Sequence, residues 1–400
     1  MLRRRAPSGH PALEGDRSGQ DPSFAGGDRY LGRVYVGRMA LLAPESTLEG
    51  LEELVHADLT AQELIEEAAE RIARVVPTDG HFFSATDPET TLAMGAGAIK
   101  NLPFEMCQTH WDYEFLVPDY LKFADVAQSP VPVMDLHDAT GGRPERSPRW
   151  REFGGYTGLR SEVRMTFTVD GATWGVGQLN RTADAPRFSD EEKGWLARVA
   201  PAIGAGLRRA LLAPAATTAA DRGPGLVLLD ADGSVASVNR EAAEWLDELR
   251  VGPVFPGQDH AVPFEAFSYA ARARVDAPGG TATERARVRT REGVWLTMHA
   301  SLLEGTGQLA VIIEPAKAGE VAPLIIEAYG LTERELDVTR RIARGLGTSE
   351  IAAELFLSPH TVRDHVKAIF EKVGVRSRGE LVATVFADHY AQPGHYSAPS

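Results

Sequence analysis

The chain has 400 residues, 43% of them apolar and 24% charged, which is more than one core usually holds and predicts two or three domains. Its net charge of −14 excludes a generally basic nucleic-acid coat, so any DNA contact must come from a local patch. Cys107 is the only cysteine, which excludes an intrachain disulfide and any multi-thiolate metal site. No stretch approaches the roughly 18 consecutive apolar residues of a membrane span, and Arg3-Arg4-Arg5 precedes no apolar signal core; the chain reads as cytoplasmic.

Residues 1–46 are rich in Gly, Arg, Asp and Ser without sustained periodicity and are expected to be disordered, with Met39 as an alternative start to Met1. Thr60-Ala61-Gln62-Glu63 is a capping box, and Leu64, Ala68, Ile72 and Val75 follow at helical spacing. Further on, Met165, Phe167 and Val169 alternate into an Asp170-Gly171 turn and a second strand, a hairpin pattern. Ser189 to Glu192 caps a second long helix with Leu196, Val199, Ile203, Leu207 and Leu211 along one side. This arrangement over 47–213, above all "WGVGQLNR" through "RFSDEEKGWL", resembles a GAF domain. The resemblance implies a signal-sensing α/β module that dimerises through its terminal helices and leaves the ligand unnamed.

A small-residue linker at 214–222 leads to a strand, an Asp232-Gly233 turn, a second strand and the helix "REAAEWLDEL". Three more strands follow in "ERARVRTREG", "VWLTMHASLLE" and "QLAVIIEP", joined at Glu292-Gly293 and at Glu304-Gly305-Thr306-Gly307. Residues 223–316 thereby resemble a PAS domain, with "KAGEVAPLIIEAYG" at 317–330 as a connector.

Four helices fit the segment that follows. Thr332-Glu333-Arg334-Glu335 caps the first, which carries Val338, Ile342 and Leu346 on one face. The second buries Ile351, Ala352 and Leu355, with Gly347 where a serine would complete a box with Glu350. Ser358-Pro359 opens the third, because proline loses no amide hydrogen bond at the first helical position. Val362, Val366, Ile369 and Val373 form its buried stripe, which turns His360, Arg363, Asp364, Lys367 and Glu371 outward. Ser377 to Glu380 caps the fourth helix. From Leu331 to Tyr390 nine basic residues balance nine acidic ones, yet Pro359 to Arg378 holds five against two, so the basic surplus sits on and just after the third helix.

"LTERELDVTRRIARGLGTSEIAAELFLSPHTVRDHVKAIFEKVGVRSRGELVA" closely resembles the LuxR-type helix-turn-helix, with "EIA", "SPHTVRDH" and "KVGVRSRGEL" at the family's spacing. The resemblance implies that residues 331–391 bind double-stranded DNA, the third helix in the major groove and the fourth in a homodimer on DNA. Carried over by position, Arg363, Asp364 and Lys367 face base edges: the two cations suit guanine O6 and N7, and Asp364 suits cytosine N4. Thr361, His365 and Lys372 touch phosphate or brace the helix, and Ser358, His360, Arg376 and Arg378 complete the DNA-facing set. Thr339, where the family has an apolar residue, and Gly347 depart from the pattern.

"CQTHWDYEF" at 107–115 reads as core or the wall of a sensor pocket, since Cys107, His110 and Asp112 are too few for a metal site, and "DLHD" at 135–138 reads as a loop. "GAGAIK" at Gly95 lacks the third glycine of a dinucleotide fingerprint, and no Walker lysine loop, hydrolase elbow or receiver-like region is present.

The expected architecture is multidomain α+β: GAF-like and PAS-like antiparallel-sheet domains with helices, then an all-α four-helix LuxR-type domain, and a disordered tail at 392–400. The expected function is a non-enzymatic DNA-binding transcription regulator without cofactor, controlled by a small-molecule effector or a partner, with RNA polymerase contact and no membrane association. Two rivals stay open: a sensor that turns over a small molecule, and a pure interaction protein.

Overall fold

The computed structural model describes residues 50–51, 53–54, 56–102, 107–213, 222–230, 234–249, 272, 285–303 and 305–387. The expected disordered termini, most of the 214–222 linker, the Asp232-Gly233 turn, Glu304 and nearly all of 250–284 lie outside the described residues.

The first domain begins with α1 (Ala61–Val75). Its capping box is closed: the Thr60 amide donates to Glu63 Oε2 at 2.9 Å and the Glu63 amide to Thr60 Oγ1 at 3.2 Å. Strands β1 (Gly80–Thr86) and β2 (Ala93–Lys100) come next, then four short helices, α2 (Cys107–Phe115), α3 (Phe123–Ala127), α4 (Leu136–Ala139) and α5 (Pro148–Thr157), with β3 (Val133–Asp135) between α3 and α4. The hairpin of β4 (Leu159–Val169) and β5 (Ala172–Thr182) turns on Asp170 and Gly171, at φ 52° and 85°. Two successive left-handed residues give the turn whose twist matches that of paired strands.

The five strands form an antiparallel sheet in the order β2-β1-β5-β4-β3. Its two faces are packed by different helices. Phe83, Met165 and Phe167 meet α1 and α6 (Asp190–Leu211) through Ile65, Ile72, Leu196 and Ile203, whereas Phe82 and Val176 face Trp111 of α2 and Phe123 of α3. With both faces covered, β5 is buried from Thr173 to Arg181 instead of alternating.

The second domain repeats that strand order. β6 (Gly225–Leu229), β7 (Val235–Val238), α7 (Arg240–Leu249), β8 (Arg285–Arg289), β9 (Trp295–Leu302) and β10 (Leu309–Pro315) build an antiparallel sheet ordered β7-β6-β10-β9-β8. Trp245, Leu246 and Leu249 of α7 share a core with Val227, Leu229, Val311 and Ile313.

Gly95 in β2 explains the glycine-rich "GAGAIK". At φ +91°, it would bring an added Cβ to 2.3 Å from the Arg289 carbonyl oxygen, so the close approach of β8 to β2 needs a residue without one. Beside this contact the buried Arg287 donates to both oxygens of the buried Asp87, at 2.6 and 2.9 Å, and to Glu89 at 2.9 Å.

The 317–330 segment, expected as a connector, is a buried helix, α8 (Ala318–Ala328). Val321, Leu324, Ile325 and Ala328 join the first domain's core, and Ile326 joins the core of the C-terminal helices. It is apolar on nearly every side because it lies between two cores, which removes the one-faced pattern that marks a surface helix.

Candidate functional site

The C-terminal helices are α9 (Glu333–Ala343), α10 (Thr348–Leu355), α11 (Pro359–Val373) and α12 (Arg378–Val382), the last running into a π turn at Ala383–Ala387. Thr332 and Glu335 form the expected reciprocal cap, with the Thr332 amide 2.7 Å from Glu335 Oε2. Gly347 supplies only half of one: its amide donates to Glu350 Oε2 at 2.6 Å, and it has no side chain to return the bond. Between α10 and α11 the chain reverses at Phe356, left-handed at φ 56° and 95% exposed, and the Leu357 amide closes the turn on the Ala352 carbonyl at 2.9 Å. Ser358 Oγ then accepts from the Thr361 amide at 3.0 Å.

Val362, Ile369 and Val373 are buried, while Val366 is only half-buried at the rim of the predicted stripe. His360, Arg363, Asp364, Lys367 and Glu371 are all exposed on the other side. Thr339, where the family has an apolar residue, is buried, and its hydroxyl donates to the Glu335 carbonyl at 2.8 Å.

The predicted site residues fall into two groups. Arg363 is exposed, and among the described residues its side chain has no hydrogen bond or ion pair; the same holds for the Arg376 side chain, while Lys367 stands 3.9 Å from Glu371. Arg363 and Arg376 are thus unpaired among the described residues, and Lys367 has only this long, exposed ion pair. The remaining cations are engaged. Lys372 Nζ binds Glu335 Oε2 at 2.7 Å and the Gly330 carbonyl at 2.9 Å, tying the end of α11 to the start of α9. Burial alone would raise the Glu335 carboxyl, but hydrogen bonds from Lys372 and Thr332 and the Lys372 charge hold it below its ordinary range. Arg378 donates to the Leu346 carbonyl at 2.8 Å and to Thr348 Oγ1 at 2.9 Å, pinning α12 to the start of α10.

Asp364 is not free: its Oδ2 lies 2.8 Å from His360 Nδ1, one turn back on the exposed face. Ser358 and Thr361 pair their hydroxyls at 2.9 Å within the cap, and His365 is half-buried.

A second polar site, in the first domain, had no motif to announce it. Arg149 and Arg164 are buried, and both donate to Glu162 Oε1 at 2.8 Å; Arg164 also reaches Glu114 Oε2 at 2.6 Å. His110 of the "CQTHWDYEF" segment sits beside them in an aromatic nest of Phe82, Trp111 and Phe153, its pKa driven well below 6.5 by burial and then by the charges of Arg164 and Arg149. His110, Arg149, Glu162, Gln178 and Asn180 surround a cavity of ≈20 Å³, room for about one water. Glu162 and Arg164 are two apart on β4 and so share a face, the one signal the sequence carried.

Next to this cluster lies a cleft of ≈250 Å³. "DLHD", expected as a loop, makes part of its wall: Asp135 ends β3 and caps α4, its Oδ1 accepting from the amides of His137 at 2.6 Å and Asp138 at 3.4 Å. Among the described residues no group of three or more His, Cys, Asp or Glu side chains could hold a metal ion, and no helix is long and apolar enough to cross a membrane.

Residues 330–385 match the model of the family described as bacterial regulatory proteins, luxR family. The transcriptional regulatory protein UhpA of Escherichia coli is 46% identical over 56 residues, which are 14% of this chain and 29% of that protein. The nitrate/nitrite response regulator protein homolog of Haemophilus influenzae is 47% identical over 55 residues, 14% of this chain and 26% of that protein. The chain thus spans less than a third of the length of these curated relatives. Among solved structures, the GAF domain of a Coxiella burnetii phosphoenolpyruvate-protein phosphotransferase is similar at 15% identity and a TM-score of 0.31, over 43% of this chain and 96% of that one. Escherichia coli SdiA is similar at 13% identity and a TM-score of 0.30, over 87% of this chain and 99% of that one. The match over 330–385 coincides with the four-helix unit and its exposed cations, and that segment is a LuxR-type helix-turn-helix domain.

Proposed function

We propose that the chain is a sequence-specific DNA-binding transcription regulator that inserts α11 into the major groove as one half of a homodimer. The observation that carries this reading is the exposed Arg363 and Lys367 on a helix whose opposite side is held in a core, within the LuxR-type segment. Four residues at 1.5 Å rise put these two side chains about 6 Å apart along the helix, the span of about two base steps of 3.4 Å. Each suits guanine O6 and N7. Asp364 serves as an acceptor for cytosine N4 through Oδ1 while Oδ2 stays with His360. Ser358, Thr361, His365 and Arg376 flank this stripe as phosphate contacts, while Lys372 and Arg378 act chiefly as braces that hold the helices in register.

The two sheet domains receive the signal, a small molecule or a partner protein, and α8 carries it. Because α8 contributes to the first domain's core and to that of the DNA-binding helices, a change in how the first domain packs changes the bed on which those helices rest. Only a signal that binds two arrangements with different affinity can act this way. RNA polymerase contact follows as the output of a bound regulator.

Selection of randomised duplexes with the full chain, followed by anisotropy titrations at several salt concentrations, tests the reading. A reproducible two-part consensus, bound with a log–log salt slope of about −0.9 per phosphate contacted, is expected. Absence of any enriched sequence would sink it.

A further inference from the structure

The ≈250 Å³ cleft in the first domain is built from the end of β3, the starts of α4 and β4 and the end of β5. It is far larger than the neighbouring cavity that suits one water, and somewhat below the roughly 300–1,000 Å³ of drug-sized pockets. Its carboxylates lie deep and its guanidiniums shallower: Asp135 and Glu162 are 4% and 7% exposed, whereas the Arg187 side chain is 49% exposed.

Asp135 carries an unpaired, buried oxygen at the cleft wall. Its Oδ1 is taken by the amides of α4, while its buried Oδ2 receives no hydrogen bond from the described residues. A buried carboxylate oxygen without a donor is costly, and here burial pushes the Asp135 pKa above its ordinary value. Arg187 stands 3.7 Å from Oδ1 and shares itself with Asp138 at 3.5 Å. Glu162, which lines the cleft, accepts from Arg149 and Arg164 through Oε1 alone. Arg160 lines the cleft with its guanidinium 4.8 Å over the Trp150 ring and no carboxylate partner among the described residues.

Two carboxylates and two guanidiniums line the cleft, with Glu162 also paired to the buried Arg149 and Arg164, so a lone anion meets the carboxylates and a lone cation meets the guanidiniums. A small molecule with a cationic N–H donor at one end and a carboxylate at the other matches both. We propose that this cleft binds a free α-amino acid, its ammonium beside the Asp135 and Glu162 carboxylates and its carboxylate on Arg160, assisted by Arg187. This deepens the reading of the first domain as the signal receiver, and for its regulatory meaning it rests on that reading.

Calorimetric titration of the full chain, without DNA, with each of the twenty amino acids tests the proposal. At least one amino acid is expected to bind saturably, with its decarboxylated amine and its deaminated acid each at least about tenfold weaker. Asp135→Asn keeps Oδ1 as the α4 cap and removes the charge; it should keep the melting temperature and weaken binding about tenfold, as should Arg160→Gln. Binding by none of the twenty, equal binding of the amine or the acid, or unchanged affinity in both variants would overturn it. Since no DNA is present, the outcome is separate from that of the duplex selection.

Discussion

Arg363→Ala separates reading from folding at one side chain. Arg363 is exposed and has no hydrogen bond or ion pair among the described residues, so its truncation should leave folding free energy within about 0.5 kcal/mol of the parent. On DNA, loss of a bidentate guanine contact costs about 1–3 kcal/mol, or about five- to 150-fold in Kd. Anisotropy titrations against the selected duplex and its single-base variants, alongside urea melts, measure both. The affinity should fall only for duplexes that carry the preferred base at one position. Arg378→Ala is the control: it removes two bonds that join α12 to the start of α10, so it should cost about 1–3 kcal/mol in stability while leaving base preference intact. Parent-like affinity and base preference in Arg363→Ala would refute the assignment. A loss uniform across sequences, with the salt slope reduced by about one, would move Arg363 from base to phosphate.

Arg287→Ala strands Asp87 at 1% exposure between the two sheet domains and should lower stability by about 3–5 kcal/mol in denaturant titrations; Arg287→Lys should recover only part, since one ammonium cannot replace the fork on Asp87 and Glu89. Burial, then the Lys100 charge, lowers the His81 pKa to about 4 from an ordinary 6.5. Its folded pKa lies below the unfolded one, so its contribution is complete above pH 6.5 and declines toward pH 4 by up to about 3 kcal/mol. His110 acts in the same direction, and His81→Gln should flatten that window of the stability–pH curve. Phe356→Gly should raise the melting temperature, because it relieves about 1 kcal/mol of left-handed strain at a side chain that is 95% exposed; an unchanged or lower value would mean that the ring packs in solution.

What could be read from the amino-acid order was short in range. The boxes at Thr60–Glu63, Ser189–Glu192 and Thr332–Glu335 and the Ser358-Pro359 start each span four residues or fewer, and each caps a helix where expected. The same local periodicity sorted Val362 and Ile369 inward and Arg363 and Lys367 outward, because side chains three and four apart share one helix face.

Side-chain commitments across the fold were decided elsewhere. Lys372 looks as free as Lys367 in the sequence, yet it is held by Glu335, which is 37 residues away. Arg287 and Asp87 are 200 apart, and nothing near either residue announces the other. Gly95 needed the backbone of Arg289 to explain it, and α8 needed two cores to explain an apolar surface that local spacing reads as a mere connector. Caps and faces follow from neighbours along the chain, where the sequence alone determines them. Which charges remain free to meet a ligand depends on distant partners, and only the tertiary structure brings those together.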